Sequence, residues 1–173
     1  IRYVLTGWFR GEVHGRASVE WLRDGLRYQV HLDVALGPSF APLMTRRMSS
    51  DGEITPRGLR PRRYDEVTTQ ILGSPRRRQM RFDDDLLTLA NGQTQIRPAD
   101  LQDTASQFVQ LVWRFTVEPR LLHPGASVSF PLALPRRVDA WTYDVVARET
   151  LPTPIGPVDT WHVKPRRPAD PGD

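Results

Sequence analysis

Alternating apolar and polar residues predict a β-hairpin around Asp24-Gly25, near the start of the chain. Asp-Gly favours a two-residue type I′ turn, because both central residues of that turn have a positive φ. The register that follows pairs three apolar couples: Trp21 with Tyr28, Val19 with Val30, and Ala17 with Leu32. The other face of the hairpin is polar, so we expect one side to meet a core.

The same alternation continues in short segments along the chain. The dipeptides Asp51-Gly52 and Asn91-Gly92 indicate two further hairpin turns. Pro61 has no N–H to give to a central ladder, so segment 60–67 is predicted as an edge strand. In all, we expect about nine strands.

One segment changes to the helical period and predicts a single amphipathic helix. Its apolar stripe, which we expect to be buried, is formed by Ala105, Phe108, Val109, Val112, Phe115 and Thr116. The polar positions on the opposite side are Gln107, Gln110 and Arg114. Thr104 and Gln107 form a Thr-x-x-Gln capping box, with Asp103 beside it to complement the helix dipole, and Pro119 ends the helix.

These elements predict a mainly β fold with one helix. A single helix can bury its apolar stripe on the concave side of a curved sheet, so we expect a strongly curved antiparallel sheet, or half barrel, wrapped on that helix. The 173 residues suggest one domain, at roughly 150 residues per domain. We assign residues 1–164 to it and expect the Pro-, Arg- and Asp-rich tail 165–173 to be disordered.

The amino-acid composition limits which classes of protein and of functional site are possible. Hydrophobic residues make up 39% of the chain and charged residues 25%, as in soluble globular proteins. The absence of cysteine excludes disulfides, thiolate metal sites and cysteine catalysis. Lys164 is the sole lysine, so nearly every cation is arginine. That skew has two readings, a coding bias or a use of guanidinium groups for carboxylate and phosphate recognition.

The candidate chemistry is a ligand groove on the concave side of the sheet. An apolar groove remains wherever the helix does not fill that concavity. Its candidate lining residues are aromatic: Tyr28, Phe108, Trp113, Trp141 and Tyr143. The alternative role for each of these side chains is ordinary core packing.

Other site classes find little support. The spacing of His31 with Asp33, and of Glu12 with His14, permits a metal site, but no His-x-x-x-His pair or acidic calcium loop accompanies them, so solvated strand faces are the favoured reading. The chain has neither a nucleophile elbow nor a phosphate-binding glycine loop. We therefore assign no catalytic residue, metal or cofactor. The arginine clusters are read first as solvated turns. As a binding feature they suit an anionic ligand such as a lipid head group better than nucleic acid, because no recognition helix or ribonucleoprotein motif accompanies them.

An ordered set of motifs resembles the bacterial family called domain of unknown function 3108, over nearly the whole chain. The motifs are Gly7-Trp8-Phe9-Arg10-Gly11, Val19 to Gly25 with Arg27-Tyr28, Ser50-Asp51-Gly52, Gly58-Leu59 with Pro61, Arg63 and Tyr64, Gln102-Asp103 with Ser106 and Gln110-Leu111, and Glu149 with Leu151, Pro154 and Gly156. The resemblance implies a periplasmic domain or one on the periplasmic face of the inner membrane, reached through an N-terminal segment absent here. It also implies a further C-terminal β-hairpin that this sequence lacks. By analogy of architecture, a curved sheet filled by one helix is similar to the folds of lipoprotein carriers.

Three functions remain open on this basis. The first is a non-enzymatic binding or scaffold domain that holds an acyl chain or a partner segment in the apolar groove. The second is a structural module that binds another protein of the cell envelope. The third is an enzyme with a site around the polar residues that the resemblance brings together: Arg63, Tyr64, Asp103 and Ser106. Asp103 is expected either to cap the helix alone or also to pair with Arg63.

Overall fold

The computed structural model describes residues 1–8, 12–38 and 40–166. Within these ranges the chain forms twelve strands, one α-helix and a short 3-10 helix. The strands are β1 (Arg2–Trp8), β2 (Glu12–Asp24), β3 (Arg27–Leu36), β4 (Met44–Thr55), β5 (Gly58–Gln70), β6 (Arg76–Phe82), β7 (Leu86–Thr88), β8 (Thr94–Ile96), β9 (Gln102–Asp103), β10 (Ser127–Leu134), β11 (Arg137–Thr153) and β12 (Gly156–Arg166). The α-helix is α1 (Ser106–Val117), and Pro119–Leu121 form the 3-10 helix.

The strands form two sheets. Strands β1 to β8 make an eight-stranded antiparallel meander in which each strand pairs with the next. The second sheet has the order β12-β11-β10-β9, and β9 runs parallel to β10 because α1 forms the crossover between them. The expected mainly β fold, with one helix and a curved half-barrel sheet, is confirmed. The strands outnumber the expected nine because several are only two or three residues long.

The first hairpin turns one residue later than predicted. Gly25 and Leu26 occupy the turn, and Gly25 has a φ of 58°, as the first central residue of a type II′ turn requires. Trp21 therefore lies opposite Val30, so the predicted register is wrong by two residues. A shift of two keeps every side chain on its predicted face. Trp21 stacks diagonally on Tyr28, with ring centroids 5.6 Å apart.

The turn predicted at Asp51-Gly52 is also wrong. Strand β4 passes through both residues, and Gly52 marks a bulge where a Cβ would lie 2.2 Å from the Arg60 carbonyl oxygen. Strand β5 lies between β4 and β6 and is not an edge strand. Pro61 is tolerated there because β6 pairs with β5 only from Arg63 onward. The turn at Asn91-Gly92, between β7 and β8, is confirmed.

The helix links two apolar clusters. The larger cluster lies inside the eight-stranded sheet and includes Leu101 and Ala105, which precede α1. The smaller cluster joins Leu111 of α1 to β10 and β11. The start of α1 thus fills part of the concavity, while its middle supports the second sheet.

The buried face of α1 differs from the predicted face. Phe108 and Val112, from the apolar stripe, are 44% and 65% exposed, whereas Gln107 and Gln110 are buried. Gln110 accepts a hydrogen bond from the Leu59 N–H at 2.8 Å and donates one to the Arg57 carbonyl at 3.1 Å. At the end of the β4–β5 hairpin, the Leu59 N–H and the Arg57 carbonyl need hydrogen-bond partners, and a glutamine amide satisfies both. This demand outweighs the burial of one more apolar residue.

Strand β12 ends at Arg166, two residues beyond the predicted domain boundary. The rest of the predicted tail, 167–173, lies outside the described residues.

The orientation of α1 predicts which helix residues matter for stability. Gln110→Ala leaves the buried Leu59 N–H without an acceptor, so we expect it to lower the free energy of unfolding by about 2 kcal/mol. Val112→Ala, on the exposed side, serves as the matched control and should change it by less than about 0.5 kcal/mol. Urea unfolding of both variants measures this. A larger loss for Val112→Ala would instead favour burial of the apolar stripe.

Candidate functional site

Asp103 caps α1 from inside the core. Its side chain is fully buried, and Oδ1 accepts hydrogen bonds from the Ala105 and Ser106 N–H groups at 2.9 and 2.8 Å. The Ser106 hydroxyl oxygen in turn accepts the Asp103 N–H at 2.9 Å. This reciprocal pair is a capping box that begins one residue before the predicted one. The predicted cap, Thr104, has a buried hydroxyl without a hydrogen-bond partner among the described residues.

A chain of hydroxyl groups connects Asp103 to the eight-stranded sheet. Ser50 Oγ donates to Asp103 Oδ2 at 2.5 Å, and Tyr28 Oη lies 3.0 Å from Ser50 Oγ. A serine hydroxyl has one proton. Because Ser50 donates that proton in its hydrogen bond to Asp103, the Tyr28 hydroxyl is the donor to Ser50 Oγ. All three side chains are buried, and burial raises the pKa of Tyr28 well above its ordinary value. The relay therefore runs from tyrosine to serine to carboxylate.

Asp103 has no cationic partner among the described residues. Arg63 lies on the outer side of β5, where its Nε donates to Asp65 at 2.6 Å, so the expected Arg63–Asp103 pair does not form. Burial raises the pKa of Asp103 to about 6, although four hydrogen bonds act in the opposite direction. Of the polar residues expected to cluster, the structure brings together Tyr64, Asp103 and Ser106 in the core and leaves Arg63 apart.

A second buried carboxylate, Glu66, lies on the same side of β5 as Tyr64. Its Oε2 accepts from Arg46 at 2.6 Å and from Tyr64 at 2.8 Å, and its Oε1 accepts from Arg78 at 3.0 Å and from Thr68 at 3.2 Å. Burial alone would raise the pKa of Glu66, but the hydrogen bonds from Arg46 and Tyr64 hold it below its ordinary value. Sequence reasoning missed Glu66, whose signal was its position two residues after Tyr64.

We call the side of the eight-stranded sheet that carries Tyr28, Ser50 and Tyr64 the concave face. Burial decreases along it: Tyr64 is 0% exposed, whereas at the next step along the strands beyond Glu66, two residues further on, every side chain except that of Ala17 is partly or fully exposed. At that step six directly paired residues cross β1 to β6 in a row, which we call the six-strand row: Tyr3, Ala17, Val34, Arg46, Thr68 and Arg76. The β1–β3 half of this row is apolar, and the β4–β6 half is polar and cationic.

The five aromatic groove candidates do not share one surface. Tyr28 belongs to the larger cluster, whereas Tyr143 and Trp141 lie together in the smaller one, with ring centroids 6.3 Å apart. The Tyr143 hydroxyl donates to Gln107, and burial raises the pKa of Tyr143 to about 12. Phe108 is exposed and Trp113 is partly buried on α1. The concave face of the sheet, rather than this set, forms the candidate site.

The described residues offer no support for a metal site or a membrane-spanning helix. Over residues 1–8, 12–38 and 40–166, no three His, Asp or Glu side chains are grouped as metal ligands would be. In the same part of the chain, no helix combines the length and apolar character needed to cross a membrane.

A family model described as "Protein of unknown function (DUF3108)" matches residues 2–172. The chain belongs to this family. The DUF3108 domain is also similar to a solved structure from Brucella abortus, described as a β-barrel-like protein of domain of unknown function DUF1849. The identity is 13% and the TM-score 0.48, with 87% of this chain and 68% of the other covered. No curated protein matches the sequence.

The raised pKa of Asp103 predicts a pH dependence of stability. The folded DUF3108 domain holds the Asp103 proton more tightly than the unfolded chain, whose pKa is near 3.8. The contribution of this group is therefore fully favourable below about pH 4 and is lost as the pH rises through 6, by about 3 kcal/mol. Asp103→Asn removes this titration and keeps an acceptor for the helix.

Urea unfolding of the wild type and Asp103→Asn between pH 4 and 7 measures the effect. We expect the stability of the variant relative to the wild type to increase with pH across this window. A constant difference would mean that Asp103 titrates in the fold as it does in the unfolded chain.

The position of Glu66 between two arginines predicts a large loss on neutralisation. Glu66→Gln leaves Arg46 and Arg78 without their shared counter-charge, so we expect the free energy of unfolding to fall by about 3 kcal/mol. Asp65→Asn is the matched control, because this neighbour binds Arg63 on the exposed outer side. Its effect should stay within about 1 kcal/mol. Equal urea midpoints for the two variants would contradict the structural role of Glu66.

Proposed function

We propose that this DUF3108 domain is a non-enzymatic binding domain that holds an aliphatic chain against the apolar half of its six-strand row. The observation that carries the proposal is the loss of burial along the concave face. Apolar side chains of β1 to β3 continue past the covered core and stay partly accessible, notably Leu5, Val34 and Leu36. An acyl chain laid along them would complete the burial of this face.

The polar core supports a binding role over a catalytic one. Tyr64, Asp103 and Ser106, which we weighed as an enzyme site, are buried and direct their hydrogen bonds to the helix start and the sheet. In these positions they hold the start of α1 against the core of the eight-stranded sheet. We assign the domain to the periplasm or the periplasmic face of the inner membrane, as the family resemblance implies, where a carrier or scaffold for acyl chains would act.

A bulky side chain on the concave face should block the ligand. Val34→Trp fills the apolar half of the six-strand row, and we expect it to weaken binding of a pyrene-labelled dodecyl alcohol or dodecanoate at least tenfold, about 1.4 kcal/mol. Val67→Trp is the matched control. Val67 is likewise partly buried, but it pairs with Arg47 and Arg77 on the outer side of the sheet. Fluorescence titration below the micellar range measures both variants.

Urea midpoints of both tryptophan variants check that each is folded. The proposal is overturned if the wild type binds neither probe saturably and a mass measurement on lipid extracts of the purified protein finds no lipid. It is also overturned if the two tryptophan variants weaken binding equally.

A further inference from the structure

We infer that the polar half of the six-strand row is a site for an anionic head group, so that the ligand is an amphiphile with an aliphatic chain and a carboxylate or phosphate oxyanion. This inference rests on the proposed function and identifies its ligand class. The site is a small open cleft of about 50 Å³, lined by Thr68, Gln70, Ser74, Arg76 and Arg78. That volume has room for a few water molecules or one small anion.

The cleft is lined by hydrogen-bond donors that have no acceptor among the described protein groups. Within the part of the chain that the structure describes, Arg76, Gln70 and Ser74 make no side-chain hydrogen bond or ion pair. The Nε of Arg46, the first residue of the polar half of the row, is buried and also lacks an acceptor among the described residues. Each group is a hydrogen-bond donor, so an incoming oxyanion would satisfy several of them at once.

Glu66 cannot serve as the missing acceptor. A carboxylate has about four lone-pair positions, and those of Glu66 already accept from Tyr64, Thr68 and two arginines. Its single negative charge is shared by Arg46 and Arg78, which leaves one positive charge uncompensated. Arg76 adds a second, and Glu66 is the only acid at the directly paired positions of this row and the row beside it.

The apolar and cationic halves meet within one row of paired residues. Val34 is directly opposite Arg46, and the cleft lies on β5 and β6, so a chain packed on β3 would place its head group two or three strands away, about 10 to 15 Å. Guanidinium groups suit this position because they bind carboxylate and phosphate oxygens through two parallel N–H donors. The arrangement matches one anionic end and one apolar end in a single ligand.

Arg76→Gln tests the inference, with Arg77→Gln as the matched control. The two arginines are neighbours in β6, both are exposed, and they point to opposite sides of the sheet. The probes are pyrene-labelled dodecanoate and the uncharged dodecyl alcohol, titrated by fluorescence below the micellar range. We expect the wild type to bind the carboxylate more tightly than the alcohol. Arg76→Gln should weaken carboxylate binding by roughly three- to tenfold and leave alcohol binding unchanged, while Arg77→Gln should change neither.

The outcomes separate the inference from the proposed function. If the wild type binds neither probe and lipid extracts of the purified protein contain no lipid, the proposed function fails. If it binds both equally, or if Arg76→Gln and Arg77→Gln weaken the carboxylate alike, the chain-binding function stands and the head-group site is overturned. Raising the salt concentration should weaken carboxylate binding in the wild type and leave alcohol binding unchanged. A carboxylate affinity that ignores salt would also count against the site.

Discussion

The buried carboxylate of Asp103 connects three parts of the fold. Its Oδ1 caps α1, its Oδ2 receives the relay from Ser50 and Tyr28 in the eight-stranded sheet, and its backbone pairs with β10 in the second sheet. An uncompensated charge in the core is costly, and here the hydrogen bonds to helix N–H groups and a hydroxyl offset much of that cost. Because the partners of Asp103 lie at the start of α1, in β4 and in β10, they fix the position and rotation in which the helix enters the concavity.

Glu66 is also a buried carboxylate, but it is stabilised in the opposite way, by cations. Asp103 is held by neutral donors, so burial dominates and its pKa rises, whereas Glu66 lies between two guanidinium groups and its pKa falls. The two carboxylates are separated by the row of Ser50 and Tyr64, which contributes a hydroxyl to each. The concave face thus changes along its strands from a neutral, covered interior to a cationic, open end.

That gradient makes the concave face amphipathic at its open end. The helix start covers the interior rows. Beyond them, no described side chain accepts a hydrogen bond from Gln70, Ser74 or Arg76, and Leu5 and Val34, although packed against the core, stay partly exposed. An amphiphile would supply both an acceptor and an apolar surface. The same twist and curvature that close the core therefore leave an amphipathic surface at its open end.

The sequence by itself determined the mainly β class, the single helix and the face of each strand in the first hairpin, because these depend on the local period of apolar residues. Motif order along the chain also indicated the family and, apart from Arg63, the residues of its polar cluster. Only the tertiary structure decided the hairpin registers and the orientation of α1. The dipeptide Asp24-Gly25 allows Gly25 to be either the first or the second central residue of the turn, and in the fold it is the first. Gln110 faces inward because a distant hairpin presents backbone groups that need hydrogen-bond partners. The role of Glu66 likewise depends on arginines from two other strands, and such long-range pairing leaves no periodic signal in the sequence.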